Sequence, residues 1–207
     1  MNQIAIVILA AGNSKRMRQS KQLLQWGEST LLASVVANVL SANGDNFFVV
    51  LGAYSNEIRE KINLSKTNVL INENWQQGLG SSIALATAEI DKNFPEINAV
   101  LFVLADQPFI ESIHLDAILK LHKNEKEAII ITRNEDYKGV PVLFPKKYFS
   151  ELMLLFNDEG AKPIINRNKN QVIEVICQYD TVDVDTFESY VSLFKTTRKI
   201  PFNHEKI

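Results

Sequence analysis

The sequence predicts an α/β domain of the three-layer, Rossmann-like kind, with a mostly parallel sheet and helices on both faces. Strand-length apolar runs alternate with helical-period segments along most of the chain. The first run, Ile4–Ala11, has eight apolar residues and no basic flank. It is too short to cross a bilayer and lacks the form of a secretory leader, so it reads as a buried strand. Finally, 207 residues with 46% apolar and 22% charged side chains suffice for one core without a staple.

In chain order, strands are expected at Ile4–Ala10, Phe47–Leu51, Asn68–Asn72, Ala99–Leu104, Ala128–Thr132, Val142–Phe144 and Val172–Cys177. Each is a short apolar run bounded by polar or turn residues. Helices are expected at Thr30–Ala42, Asn56–Ile62, Ser81–Lys92, Ile113–Lys123, Lys147–Phe156 and Phe187–Lys195. In the first of these, Leu31, Leu32, Val35, Val36, Val39 and Leu40 fall at i, i+3/i+4 spacing, which defines one apolar face.

Twenty-two Lys+Arg stand against 24 Asp+Glu, a net charge of -2, which argues against a nucleic-acid backbone partner. The single cysteine, Cys177, can form no intramolecular disulfide and has no zinc-ligand spacing, so a cytoplasmic setting is expected. No stretch predicts a membrane span.

Open sheets of this kind bind ligands beyond the carboxyl ends of their strands. The first strand leads into Ile8-Leu-Ala-Ala-Gly-Asn-Ser-Lys-Arg-Met-Arg-Gln-Ser-Lys21. Its small residues let a ligand approach the backbone, and Lys15, Arg16, Arg18 and Lys21 suit phosphate oxygens. The loop is neither a Walker A motif nor a dinucleotide fingerprint. A second segment, Asn72-Glu-Asn-Trp-Gln-Gln-Gly-Leu-Gly-Ser-Ser82, opens a helix with two glycines and two serines. Ser81 or Ser82 could cap that helix and turn its N-terminal dipole to an anion or a sugar. A third, Ala99-Val-Leu-Phe-Val-Leu-Ala-Asp-Gln-Pro108, ends a buried strand in Asp106. That carboxylate suits Mg²⁺, which favours one or two carboxylates plus phosphate oxygens, or it could cap the next helix.

The order Leu9-Ala-Ala-Gly-x-Ser-x-Arg-Met-x-x-x-Lys21 resembles the signature of the MobA-like nucleotidyltransferases, and its Ala-Ala-Gly form resembles their molybdenum cofactor cytidylyltransferase branch. The resemblance implies one domain over 1–207, with a nucleotide-binding half at 1–110, an acceptor-binding half at 111–197 and a frayed tail at 198–207. It places Leu9, Ala10, Ala11, Gly12 and Ser14 around the nucleotide, with Lys21 and Arg16 as catalytic cations. Asn74, Gly78 and Ser82 follow as base and ribose contacts, while Trp75 reads as packing. Asp106 and Asp185, or Asp183 in its place, are implied as Mg²⁺ ligands.

Gly139-Val-Pro141 and Asn157-Asp-Glu-Gly-Ala-Lys162 resemble the family's acceptor side, which assigns Gly139, Pro141, Asp158 and Lys162. The chain departs from the family pattern at Arg18, Val140, Asn157, Lys162, Phe187 and Ser189. The implied activity is transfer of CMP from CTP, or of another nucleotide from its NTP, to the phosphate of a molybdopterin-type acceptor. Pyrophosphate is released, and the implied partner is a molybdoenzyme of the xanthine dehydrogenase type. Two other readings stay open: a sugar nucleotidyltransferase or nucleotide-sugar glycosyltransferase, and a protein that binds and delivers the molybdenum cofactor without turnover.

Overall fold

The computed structural model describes residues 3–17, 19–135, 137–178 and 181–197. Arg18 and the tail after Thr197 lie outside these. The order is β1 (Gln3–Ala10), β2 (Gln25–Trp26), β3 (Ser29–Thr30), α1 (Leu31–Leu40), β4 (Asn46–Leu51), α2 (Ser55–Lys61), β5 (Asn68–Ile71), α3 (Leu79–Asn93) and β6 (Ile97–Leu104). It continues with α4 (Ser112–Asn124), β7 (Ile129–Arg133), β8 (Lys138–Pro145), α5 (Phe149–Leu152), α6 (Lys162–Arg167), β9 (Val172–Ile176) and α7 (Phe187–Thr197).

Seven strands form one sheet in the order β5-β4-β1-β6-β8-β7-β9, and only β8 runs antiparallel to its neighbours. The apolar run of β1 is continuous because both of its faces are buried. Ile4, Ile6 and Ile8 pack beneath α1, α2 and α4, through Leu32, Val36, Ile58, Leu115 and Ile118. Ala5, Val7 and Leu9 face the opposite layer, where Ile83, Ala86 and Ile90 of α3 meet Phe149 and Leu152 of α5 and Ile164 of α6. The period-two alternation of one strand therefore produces the three layers. From β1 the chain builds outward through β4 and β5, then returns along α3 to place β6 on the other side of β1. The carboxyl ends of β1 and β6 are thus the switch point at which such sheets bind ligands.

Three local expectations need correction. The predicted helix Lys147–Phe156 is a 3-10 turn over Lys146–Tyr148 that runs into α5 and ends at Leu152. Tyr148, Phe149 and Leu152 are buried, but Leu154 and Phe156 are 76% and 70% exposed, so the apolar stripe stops there. Helix α6 was not expected, although its proline in the first turn is a recognised start signal. The β2–β3 hairpin was also missed because its strands have two residues each, joined through Gly27 at φ 59°. Its Trp26 packs with Met17, Leu31 and Val184 and with Phe109, Tyr190 and Phe194, seating α7 against the loop that follows β1. Among the described residues no helix is long and apolar enough to cross a membrane.

One buried histidine ties the second half together. The Thr132 hydroxyl donates to Pro141 O at 2.7 Å, so it can only accept from His114 Nε2 at 2.8 Å, and the ring carries its proton on Nε2. Burial pushes His114 down to about 4. Between about pH 6.5 and 4 the unfolded chain therefore binds the proton that the folded chain refuses, and stability falls as the pH drops through that window. We expect this group to cost about 2 kcal/mol by pH 5 relative to pH 7. Urea unfolding at the two pH values should show the loss in the wild type and a smaller loss in His114→Gln; equal losses would refute the assignment.

Candidate active site

The residues after β1 form a loop whose carbonyls are tied inward. Gln22, 2% exposed, donates through Nε2 to Ala10 O at 3.0 Å and Gly12 O at 2.9 Å. Tyr54 donates to Asn13 O at 3.1 Å, Ala53 N to Ala11 O at 3.2 Å and Met17 N to Ser14 O at 2.8 Å. Ser14 takes φ 52°, and it is the only non-glycine residue at positive φ among those described. Its hydroxyl accepts from Lys21 N at 3.1 Å and donates to Gln22 Oε1 at 3.3 Å. With the carbonyls engaged elsewhere, the amides of Gly12, Asn13 and Ser14 are left without a protein acceptor among the described residues, beside an open cavity. Such a nest of N–H groups suits an anion.

The second wall is the N-terminus of α3. Asn72, 3% exposed, donates to Ser81 Oγ at 2.8 Å and Ser82 Oγ at 2.9 Å, and its Oδ1 accepts from Asn74 N at 3.0 Å. Neither serine is the N-cap: the helix starts at Leu79 behind Gly78, and the Ser81 hydroxyl donates to Gly78 O at 2.8 Å. Gly78 sits at φ 93°, and a Cβ there would lie 2.3 Å from Asp158 Oδ1. We expect Gly78→Ala to destabilise the fold by about 2–3 kcal/mol, the upper range for a forced backbone outlier with a clash. An unchanged denaturant midpoint would refute that.

At the ends of β1 and β6 the charged groups converge. Lys21 Nζ bonds Asp106 Oδ2 and also reaches Asp185 Oδ1 at 3.3 Å, while Arg16 Nη2 bonds Asp185 Oδ2 at 3.2 Å. Burial alone would lower the Lys21 pKa, but Asp106 and then Asp185 outweigh it and hold the ammonium above its ordinary value. Asp106 Oδ1 is buried with no partner. Burial and the Asp106 charge push the Asp183 carboxyl up to about 6, against a hydrogen bond from Gln107 Nε2 at 2.9 Å. Burial likewise keeps the Tyr137 phenol above its ordinary value.

Arg16, Lys21, Asp106 and Asp185 line a cavity of about 560 Å³, to which Asp183, Gln107 and Tyr137 are not brought. The predicted Leu9, Ala10, Ala11, Gly12, Ser14, Arg16, Lys21, Gly78, Ser82, Asp106 and Asp185 all line it. Asp158, expected on the acceptor side, lines it too, next to Gly78. Trp75 both lines the cavity and packs on the core below α3. Asn74, Gly139, Pro141 and Lys162 are not brought to it. The Asn74 carbonyl accepts from Ser81 Oγ at 3.1 Å. Gly139 lies against the Tyr137 hydroxyl, Pro141 is inside β8 and Lys162 opens α6. Gln22, Asn72 and Gln107 were missed, and their only signal was a polar residue inside or beside an apolar run.

Among the described residues no three His, Cys, Asp or Glu side chains gather closely enough to hold a metal ion alone. Asp106 and Asp185 nevertheless present hard oxygens on either side of one ammonium, and Asp106 keeps an unpartnered buried oxygen. That donor set fits a Mg²⁺-like ion completed by substrate phosphates.

Comparison with known proteins bears on the family and the fold. The chain is 23% identical over 193 residues to the molybdenum cofactor cytidylyltransferase of Escherichia coli (strain K12), covering 93% of this chain and 96% of that one. It is 24% identical to the nicotine blue oxidoreductase of Paenarthrobacter nicotinovorans, over 90% and 94% of the two chains. The crystal structure of Rv0371c from Mycobacterium tuberculosis H37Rv superposes with a TM-score of 0.84 at 27% identity, covering 94% of this chain and 98% of that one. A second structure of that protein is a complex with manganese, with a TM-score of 0.81 at 26% identity. The model of the MobA-like NTP transferase domain matches residues 6–172, and the chain belongs to that family.

Proposed function

We propose that this protein transfers CMP from CTP to the phosphate of a molybdopterin-type acceptor and releases pyrophosphate. The observation that carries the reading is the meeting of Lys21, Arg16, Asp106 and Asp185 at the mouth of the amide-lined loop. Such a transfer needs no covalent intermediate on the protein. An acceptor phosphate oxygen attacks the α-phosphorus in line, the bond to the bridging oxygen breaks, and pyrophosphate leaves with that electron pair.

The amides of Gly12, Asn13 and Ser14 cradle the triphosphate, and the N-terminus of α3 faces the nucleoside. Lys21, kept protonated by its carboxylates, and Arg16 place positive charge beside the equatorial oxygens and the leaving group. Asp106 and Asp185 would hold Mg²⁺, which when bound neutralises phosphate charge. The manganese complex of Rv0371c supports a divalent ion. The E. coli relative, nearly co-extensive with this chain, supports CTP and the molybdenum cofactor as substrates.

The test is pyrophosphate release with Mg²⁺, molybdopterin and each of CTP, GTP, ATP and UTP in turn. CTP should be turned over at least ~10-fold faster than GTP, the scale of one well-placed hydrogen-bonded contact. Release with a sugar phosphate in place of molybdopterin would move the acceptor to another class. Tight pterin binding with no release from any nucleotide would overturn the transferase reading in favour of a carrier.

A further inference from the structure

We propose that Gln107 is a positioning residue, whose buried carboxamide ties the 181–185 segment to the end of β6 so that Asp185 faces Lys21 and Asp106. The proposal rests on the reading of Asp106 and Asp185 as ligands of a hard divalent ion.

Residues 181–185 belong to no strand, yet they deliver Asp185 across the sheet to a lysine 164 positions earlier in the chain. Two anchors, one of backbone and one of side chain, fix the segment's far end. Val184 N donates to Asp106 O at 2.9 Å, and the Val184 side chain is fully buried among Met17, Trp26 and Leu31. The near end is held by Gln107, 1% exposed, whose Nε2 lies 3.5 Å from the Tyr137 hydroxyl and, in the segment itself, donates to Asp183 Oδ1 at 2.9 Å and to Thr181 O at 3.4 Å. Both partners are acceptors, so the amide nitrogen must be the atom that faces them. Asn134 Nδ2 adds a bond to Thr181 Oγ1 at 2.7 Å.

Gln107 Oε1 is left buried without a donor. A buried orphan acceptor is costly, and here it accompanies the aiming of the amide nitrogen at the 181–183 segment, where its shortest bond lies. The charge pattern explains why an amide serves where a carboxylate would not. The Asp183 carboxylate already feels the negative charges of Asp106 and Asp185, and a donor without formal charge can bind it without competing with Lys21 for the other two. A glutamate at 107 would set a fourth carboxylate against Asp183 and push the segment away.

The experiment uses the full chain and two readouts. Hydrogen exchange at the Val184 amide reports the tether directly. Binding of Mn²⁺ in the presence of α,β-methylene-CTP, followed by the electron paramagnetic resonance signal of the free ion, reports where Asp185 points. Gln107→Glu should cut Val184 protection and weaken Mn²⁺ binding by ~10-fold or more, the usual effect of losing a residue that orients a metal ligand. The double variant Gln107→Glu/Asp183→Asn restores the bond to position 183 with donor and acceptor exchanged, though not the one to Thr181 O, and should recover both in part. Gln107→Met, of similar length and without charge, gives the same reading should the glutamate prevent folding.

Wild-type protection at Val184 in both Gln107→Glu and Gln107→Met would overturn the proposal. So would a variant in which Mn²⁺ binding is unchanged although Asp185→Asn weakens it. If protection is lost while neither Gln107→Glu nor Asp185→Asn alters Mn²⁺ affinity, the tether stands and the metal-ligand reading is the one that fails.

Discussion

Lys21→Ala is expected to lower turnover, measured as pyrophosphate release, by about 10²-fold or more, the scale of removing one electrostatic partner of a transition state. Two effects add. The variant loses the positive charge that the site holds above its ordinary pKa, and so loses it at every pH where the protein is folded. It also leaves Asp106 and Asp185 facing each other and the incoming triphosphate with no ammonium between them. Lys21→Arg should restore little of the rate. The lysine side chain is 15% exposed and acts as a point charge between two carboxylates, where a planar fork has neither the room nor the geometry. Arg16→Ala should cost less, about 10-fold, because its side chain is 69% exposed and its partner Asp185 is solvated. Near-wild-type release from Lys21→Ala would remove the cationic role from this residue.

The sheet was legible because burial on both faces turns strands into continuous apolar runs. The Ile4–Ala10 run differs from the observed β1 by one residue. Elements shorter than one hydrophobic period were not legible. The two-residue strands of the hairpin carry no alternation to read, and α5 ends where the chain turns Leu154 and Phe156 outward, a choice made by neighbouring layers. Motif order located the groups at both strand ends, but not the contact between them. Lys21 and Asp106 are 85 positions apart, and their meeting depends on β1 and β6 pairing Leu9 with Leu104. The buried amides were hidden for a related reason. Gln22 and Gln107 bond mainly to backbone carbonyls and a carboxylate supplied by other segments, and nothing local to either residue announces those partners. On the acceptor side, the family pattern named residues that lie along β8 and at the start of α6, and only Asp158 reaches the cavity, because the turn preceding α6 folds back against Gly78.

Asp106→Ala is expected to match Lys21→Ala, with a loss of about 10²-fold or more in the same assay. Asp106→Asn isolates the charge, because it keeps the shape of the side chain and a hydrogen-bonding atom toward Lys21. If the carboxylate serves only to hold the lysine, the amide should retain much of the activity. If its charge is needed at the reaction, the amide should fall nearly as far as alanine, and we expect the second result because Oδ1 is buried with no protein partner and is left to bind something else. The double variant Lys21→Ala/Asp106→Ala then decides how the pair works. Groups that act as one unit are strongly non-additive, so its rate should lie within about 10-fold of the slower single variant rather than at the product of the two losses. A fully multiplicative loss of about 10⁴-fold would instead mean that the two residues contribute independently, and that their ion pair is incidental to catalysis.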